Sequence, residues 1–222
     1  MSAIPSRALT EAELEACRAL EIASVAPGVE VLEGVVPSHR ARKLLHSQIA
    51  EERNTKLVNG LRVRAKREPL PRSIIGSLKR DRFLAGVPIS LGEPNYKSLH
   101  YVATAFDPDG GVTVAGSVPD GTYRSYLETK LWTAPGVQRV INLTSVLHNP
   151  IEEPDVECVL KQVLITDEAV PLKTATGVGA HSNGEELAIV GQIDDSAVVP
   201  EIERNAWAIP EVSTVSSDLS VA

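Results

Sequence analysis

Two cysteines in 222 residues exclude a disulfide framework and a cysteine-rich metal site, and a net charge of −7 disfavours a general nucleic-acid binder, whose domains are strongly basic. An apolar share of 43% suffices for packed cores, but with 4% aromatics those cores are built of Val, Ile, Leu and Ala, so the two tryptophans carry weight where they fall. No apolar leader segment opens the chain and no run approaches the ~20 residues of a membrane span, which reads as soluble and untargeted, in the cytoplasm or in an assembled particle, with envelope association left open.

Thr10, Glu11, Ala12 and Glu13 have the form of a capping box and open a helix through Leu14, Cys17 and Leu20. Pro27-Gly28 then separates two β-like runs, a hairpin. Ser38 caps a helix whose Ala41, Leu44, Leu45 and Ile49 lie at helical spacing, and Val58, Leu61 and Val63 follow as a strand.

Residues 62–82 are the only basic run, with Arg62, Arg64, Lys66, Arg67, Arg72, Lys79, Arg80 and Arg82. Anionic lipid or nucleic acid are its candidate partners. A solvated strand end and helix face is the simpler reading. Within it Ile74, Ile75, Leu78 and Leu84 suit a short amphipathic helix, and residues 88–97 read as a loop by their Pro and Gly.

A second hairpin runs through YVATAF, turns at Asp107-Pro-Asp-Gly-Gly111 and returns as VTVAGSV. The aspartates there lack the oxygens and distal carboxylate of a calcium loop, so a turn is expected. Tyr123, Tyr126, Leu127, Leu131 and Trp132 recur at three and four residues, Pro135-Gly136 stops that helix, and Val140, Ile141, Leu143 and Val146 make a strand. Residues 149–154 look like a linker. Residues 155–164 are an acid-led helix with Val156, Val159, Leu160 and Val163 as its core face. A third hairpin over 174–193 turns at Ser182-Asn183-Gly184. Asp194 or Asp195 then caps a helix with Val198, Ile202, Ala206 and Ile209, and Pro210 ends it.

Sliding residues 111–147 onto the C-terminal stretch needs no gap. Gly116 falls on Gly191, Trp132 on Trp207, Pro135 on Pro210 and Val140 on Val215. Such self-similarity is the mark of a repeat. The first copy matches by pattern, its Gly34 meeting Gly116 only if an extra residue is allowed near Leu32 or Glu33. Each unit reads helix, strand, strand, helix, strand.

That order, with Val112-Thr-Val-Ala-Gly116 and Pro135-Gly-Val-Gln-Arg-Val140, and again Leu187-Ala-Ile-Val-Gly191 and Pro210-Glu-Val-Ser-Thr-Val215, resembles the BON domain (bacterial OsmY and nodulation). Glu211 stands where the family has glycine. The first copy offers Val29-Glu-Val-Leu-Glu-Gly34 and lacks the Pro-Gly. The resemblance implies small two-layer αββαβ modules, often in bacterial envelope proteins, that associate with phospholipid or with other proteins. It is also similar to the ring-building modules of secretins and secretion-system basal bodies. The family has no catalytic residues, and its matching glycines, prolines and valines are structural.

Elsewhere the sequence shows no chemistry. His39, His46, His100, His148 and His181 are scattered without HxxxH or HExxH spacing and read as surface residues. Cys17 and Cys158 read as small buried apolar side chains. Gly177-Val-Gly179 lacks the third glycine of a dinucleotide loop. Catalytic, cofactor-binding and metal residues are therefore all expected to be absent, and the chain is expected not to be an enzyme.

The expectation is an α+β chain of three tandem αββαβ two-layer modules, at 8–66, 70–148 and 152–222. It would be a structural or interaction protein that self-associates into homo-oligomers or joins other protein subunits in an envelope machine, secretion conduit or virion. The alternative is a peripheral phospholipid-binding envelope-stress protein, with Arg62 to Arg82 on anionic lipid and nucleic acid not involved. Trp132 and Trp207 should each anchor their own module.

Overall fold

The computed structural model describes residues 9–53, 55–64, 70–93, 98–147 and 153–222. Helices and strands alternate in three small sheets, an α+β fold. The chain divides into two compact units, Met1–Lys66 and Arg67–Ala222. The boundary expected between residues 148 and 152 thus falls inside one compact unit. Most of the linker expected there, 149–152, lies outside the described residues, as does His148.

In the first unit α1 (Glu11–Ala16) begins at the expected capping box, Thr10 Oγ1 accepting from the Glu13 N–H at 3.2 Å and the Glu13 carboxylate accepting from the Thr10 N–H at 3.0 Å. The helix ends before Leu20, contrary to expectation. Cys17 turns extended, and its successors pair as β1 (Arg18–Ala26) antiparallel to β2 (Val29–Val36) across a turn at Gly28, φ +73°. Ser38 caps α2 (His39–Glu51), which returns the chain so that β3 (Lys56–Asn59) and β4 (Arg62–Val63) pair parallel to β2. A parallel partner requires such a crossover. The unit has a core of its own, with Leu32, Val36, Ala41, Leu44, Leu45 and Leu61 buried.

The second unit runs α3 (Pro71–Arg80), β5 (Ile89–Leu91), β6 (Tyr101–Phe106), β7 (Gly111–Val118), α4 (Gly121–Thr133), β8 (Arg139–Val146), α5 (Val156–Thr166), α6 (Leu172–Gly177), β9 (Val178–Asn183), β10 (Glu186–Ile193), α7 (Val199–Ala208) and β11 (Thr214–Val221). Its sheets are ordered β5-β6-β7-β8 and β11-β10-β9. Three stretches differ from expectation. Leu84, expected in the helix with Ile74, Ile75 and Leu78, lies beyond it, because α3 ends at Arg80 where Asp81 turns extended and its carboxylate accepts from the Phe83 N–H. Residues 89–91, expected as loop, form β5, because Ile89 is buried and pairs parallel to Val102. Residues 174–177, expected in a strand, close α6, where Thr174 and Ala175 are buried. Of the two candidate caps Asp195 is used, accepting from the Ala197 N–H at 2.8 Å in a short 3-10 turn before α7.

The central strands β2, β7 and β10 share one geometry. Each is 8 residues long, antiparallel to the strand before it and parallel to the strand after the helix. Each carries a glycine at its sixth place, with φ +137° at Gly34, +137° at Gly116 and +142° at Gly191, a conformation essentially reserved for glycine. A Cβ on Gly116 would stand 2.1 Å from Tyr101 O, and one on Gly191 2.5 Å from Gly177 O. No extra residue is therefore needed near Leu32. Counting from Gly34, the buried Leu32 and Val36 take the places of Val114 and Val118, while Val29 and Val31 lie on the other face.

A single hydrophobic core spans residues 74–215, taking side chains from α3, α4, α5, α7 and both sheets. The cause is α4, which is buried on two sides. Tyr126, Leu127 and Leu131 are fully covered, but so are Ser125 and Thr129, since α5 and α7 also pack against α4. Ser125 Oγ donates to Glu211 at 2.5 Å, and Thr129 Oγ1 satisfies itself on Ser125 O at 2.8 Å. Trp207 belongs to this core. Trp132, 4% exposed, lies outside it, its indole N–H donating to Glu128 at 3.4 Å. The two tryptophans hold one position along the helix but not one packing.

Candidate functional site

Where α3, α4 and α5 meet, the core is polar. Tyr126 OH donates to Asp81 Oδ2 at 2.5 Å, and the other carboxylate oxygen accepts from the Phe83 N–H at 2.9 Å. Lys130 Nζ donates to Thr166 Oγ1 at 2.8 Å and lies 4.0 Å from Asp81, whose side chain is 3% exposed. Burial, then the Asp81 hydrogen bond, pushes the Tyr126 phenol well above its ordinary value, so it stays a neutral donor. Burial lowers the Lys130 ammonium, with Asp81 pulling the other way. Beyond Thr166, burial alone would raise Asp167, but the Asn205 amide at 2.7 Å, the Ala169 N–H and the Arg204 guanidinium hold it below its ordinary value.

Of these groups Lys130, Thr166, Asp167 and Arg204 line a cleft of about 390 Å³, with Arg80, Glu168 and Glu201 on its walls. Asp81, Tyr126, Lys130 and Thr166 are bound to one another, and these bonds tie α4 to α5 and to the loop after α3. Tyr126→Phe leaves the Asp81 carboxylate short of a donor in the interior. It is expected to cost about 1–3 kcal/mol in urea denaturation. A midpoint equal to the parent's would show that the bond carries no stability. None of this cluster was foreseen, although Lys130 standing beside Leu131 in a buried helix is the signal that could have marked it.

The open faces of the three sheets differ. On the face of β5–β8 turned away from the helices, cross-strand rows set Ala105 beside Thr113 and Ile141, Ala103 beside Ala115 and Leu143, and Tyr101 beside Ser117 and Ser145. No charged side chain stands in these rows. The nearest is Arg139 at the hairpin end, paired to Asp107 at 3.3 Å. Leu143 is 63% exposed and Ile141 39%. The corresponding face of β9–β11 carries Glu186, His181 and Asp218. That of the first sheet carries Glu21, Glu33, Lys56 and Arg62.

The basic run does not form one element. Arg62 is in β4 and Arg64 donates to Ala16 O at 2.8 Å, while Arg72, Lys79 and Arg80 lie on the exposed side of α3 in the other unit, and Lys66 and Arg67 lie outside the described residues. His39, expected at the surface, is buried at the start of α2, and His46 Nε2 lies 3.2 Å from Leu57 O. Cys17 and Cys158 are free and half-buried, and burial raises both thiols. Among the described residues no group of three or more His, Cys, Asp or Glu is placed to hold a metal ion, and no helix is long and apolar enough to cross a membrane.

No protein-family model matches the sequence, and no curated protein matches it. Among solved structures the chain is similar to the C-terminal domain of CdsD, the structural protein of the type III secretion system of Chlamydia trachomatis, at 11% identity over 96% of this chain and 94% of that one, with a TM-score of 0.24. A second CdsD structure is 13% identical over 91% of this chain and 86% of that one, with a TM-score of 0.24.

Proposed function

We propose that this chain is a non-enzymatic structural protein that works by association, with copies of itself and with other protein subunits of a larger assembly such as an envelope machine, a secretion conduit or a virion. The observation that supports this is the uncharged open face of β5–β8. At a net charge of −7, two copies repel each other overall. Around exposed Ile141 and Leu143 this face carries no charge, its Arg139 being paired to Asp107 at the hairpin end, so copies can meet there without desolvating an unpaired ion. The shared geometry of β2, β7 and β10, glycine included, supports the further reading of one small BON-type module written three times. Its matching residues then turn corners and fill interiors.

Leu143→Arg tests the association. Placing a charge in the centre of the face is expected to bring the mass in light scattering down to the 23.8 kDa of one chain. Stability should stay within about 0.5 kcal/mol of the parent, as for an exposed position. An oligomer unaffected by this substitution would remove the face from the account. A parent that is monomeric yet sediments with anionic vesicles would favour the peripheral lipid-binding alternative.

A further inference from the structure

Strand β9 is closed along its outer edge by side chains where its counterpart β6 is closed by a strand. Val102 stands opposite Gly116 and Val178 opposite Gly191, so Val102, Thr104 and Phe106 correspond to Val178, Ala180 and Ser182. On the outer side of β6 the Val102 N–H donates to Pro88 O and the Gly92 N–H donates to Thr104 O, both at 2.8 Å, and Ile89 between them is 5% exposed. At β9 no strand among the described residues lies on this edge; the Val178 N–H is bound by Thr174 O at the end of α6, and two side chains of α5 bond other groups of the same edge. Lys161 Nζ donates to Val178 O at 2.8 Å, and Glu157 accepts from the Ser182 N–H at 2.9 Å. Hydrogen-bonded and open pairs alternate along an antiparallel ladder, so Ala180, midway between Val178 and Ser182, turns its N–H and C=O outward too. Beside it a cavity of about 360 Å³ lies between α5 and β9, lined by Leu160, Leu164 and Val178.

We infer that β9 accepts one extended segment of a partner protein, which runs parallel to β9 between it and α5, with apolar side chains at alternate positions. The chain itself supplies the template, since residues 88–91, Pro-Ile-Ser-Leu, occupy the sister edge in parallel register. Main-chain pairing gives such a site its affinity and the alternate side chains its selectivity. Asp155 also lines the cavity, and its carboxylate selects a segment flanked by a basic residue once Glu157 is displaced. Until displaced, Glu157 and Lys161 shield the edge from indiscriminate pairing. The inference rests on the assembly reading but uses a different surface, with a different protein as occupant.

The probe is a fluorescein-labelled peptide, Gly-Val-Pro-Ile-Ser-Leu-Lys, followed by anisotropy against the full chain carrying Leu143→Arg, so that association through the β5–β8 face does not enter the signal. Saturable binding is expected, weaker when the peptide's Lys is replaced by Glu. Glu157→Ala with Lys161→Ala frees Val178 O and the Ser182 N–H on the edge, and Thr176 O beside it, and is expected to tighten binding about tenfold. Ala180→Pro removes an outward N–H, which an edge strand tolerates, and is expected to abolish binding with the circular dichroism spectrum unchanged. If that variant does not fold, the gain in the double variant decides alone. Absence of binding, or binding that neither the double variant nor a folded Ala180→Pro alters, would overturn the inference. Either result leaves the self-association of the parent chain to be measured separately.

Discussion

Replacing Gly116 by alanine is expected to cost more than about 4 kcal/mol, a loss reserved for a few severe mechanisms, and to leave the unit of residues 67–222 largely unfolded. Two causes add. At φ +137° an L side chain is strained whatever the space, and the new Cβ would lie 2.1 Å from Tyr101 O, a backbone atom that no rotamer change moves aside. β6 would have to leave β7 at the point where the hairpin is held. Gly184→Ala separates the causes, since that glycine has φ +63° and nothing within 4 Å of the added carbon. It should lose only about 1–2 kcal/mol. Gly191 should fall between the two and nearer Gly116, its nearest backbone oxygen being at 2.5 Å. Urea denaturation of the three variants checks the order, and equal losses at Gly116 and Gly184 would contradict the close approach.

Trp207→Ala is expected to cost about 3–5 kcal/mol, the range for emptying an aromatic core site. Trp207 is 9% exposed and belongs to the core shared by α3, α4, α5, α7 and both sheets, so the loss should shift one transition for the whole of residues 67–222. Trp132→Ala is the comparison. It is the less exposed of the two, at 4%, but lies outside that core, and its cost should sit at the lower end of the same range. Thermal unfolding followed at both sheets reads the difference. Two separate transitions, one per tryptophan, would mean that the halves of this unit melt independently.

Much of the fold was legible because it is written in short-range chemistry. Thr10 with Glu13, Ser38 and Asp155 each cap the helix they were expected to open. Asp107 to Gly111 turns the hairpin, with Gly110 at φ +83°. Helical spacing picked out Ile74, Ile75 and Leu78, and Val156, Val159, Leu160 and Val163, all of which are buried. What failed depends on partners distant in sequence. Residues 89–91 have no strand signal beyond Ile89 and Leu91, and extend because β6 offers an edge. Ser125 and Thr129 fall outside the apolar spacing of α4, and are interior because α5 and α7 pack against that helix.

The candidate site divides along the same line. Asp81, Tyr126, Lys130 and Thr166 come from the loop after α3 and from two helices, α4 and α5, and no local pattern joins them. The uncharged face was legible in principle, as alternate positions of two strands, but only the register shows that Thr113, Ala115, Ile141 and Leu143 lie side by side.

Self-association is read most directly from the mass of the unaltered chain in solution. Sedimentation equilibrium over a range of concentrations should give a mass above 23.8 kDa that rises with concentration, as expected of copies meeting through the β5–β8 face. A mass of 23.8 kDa at every concentration would contradict it.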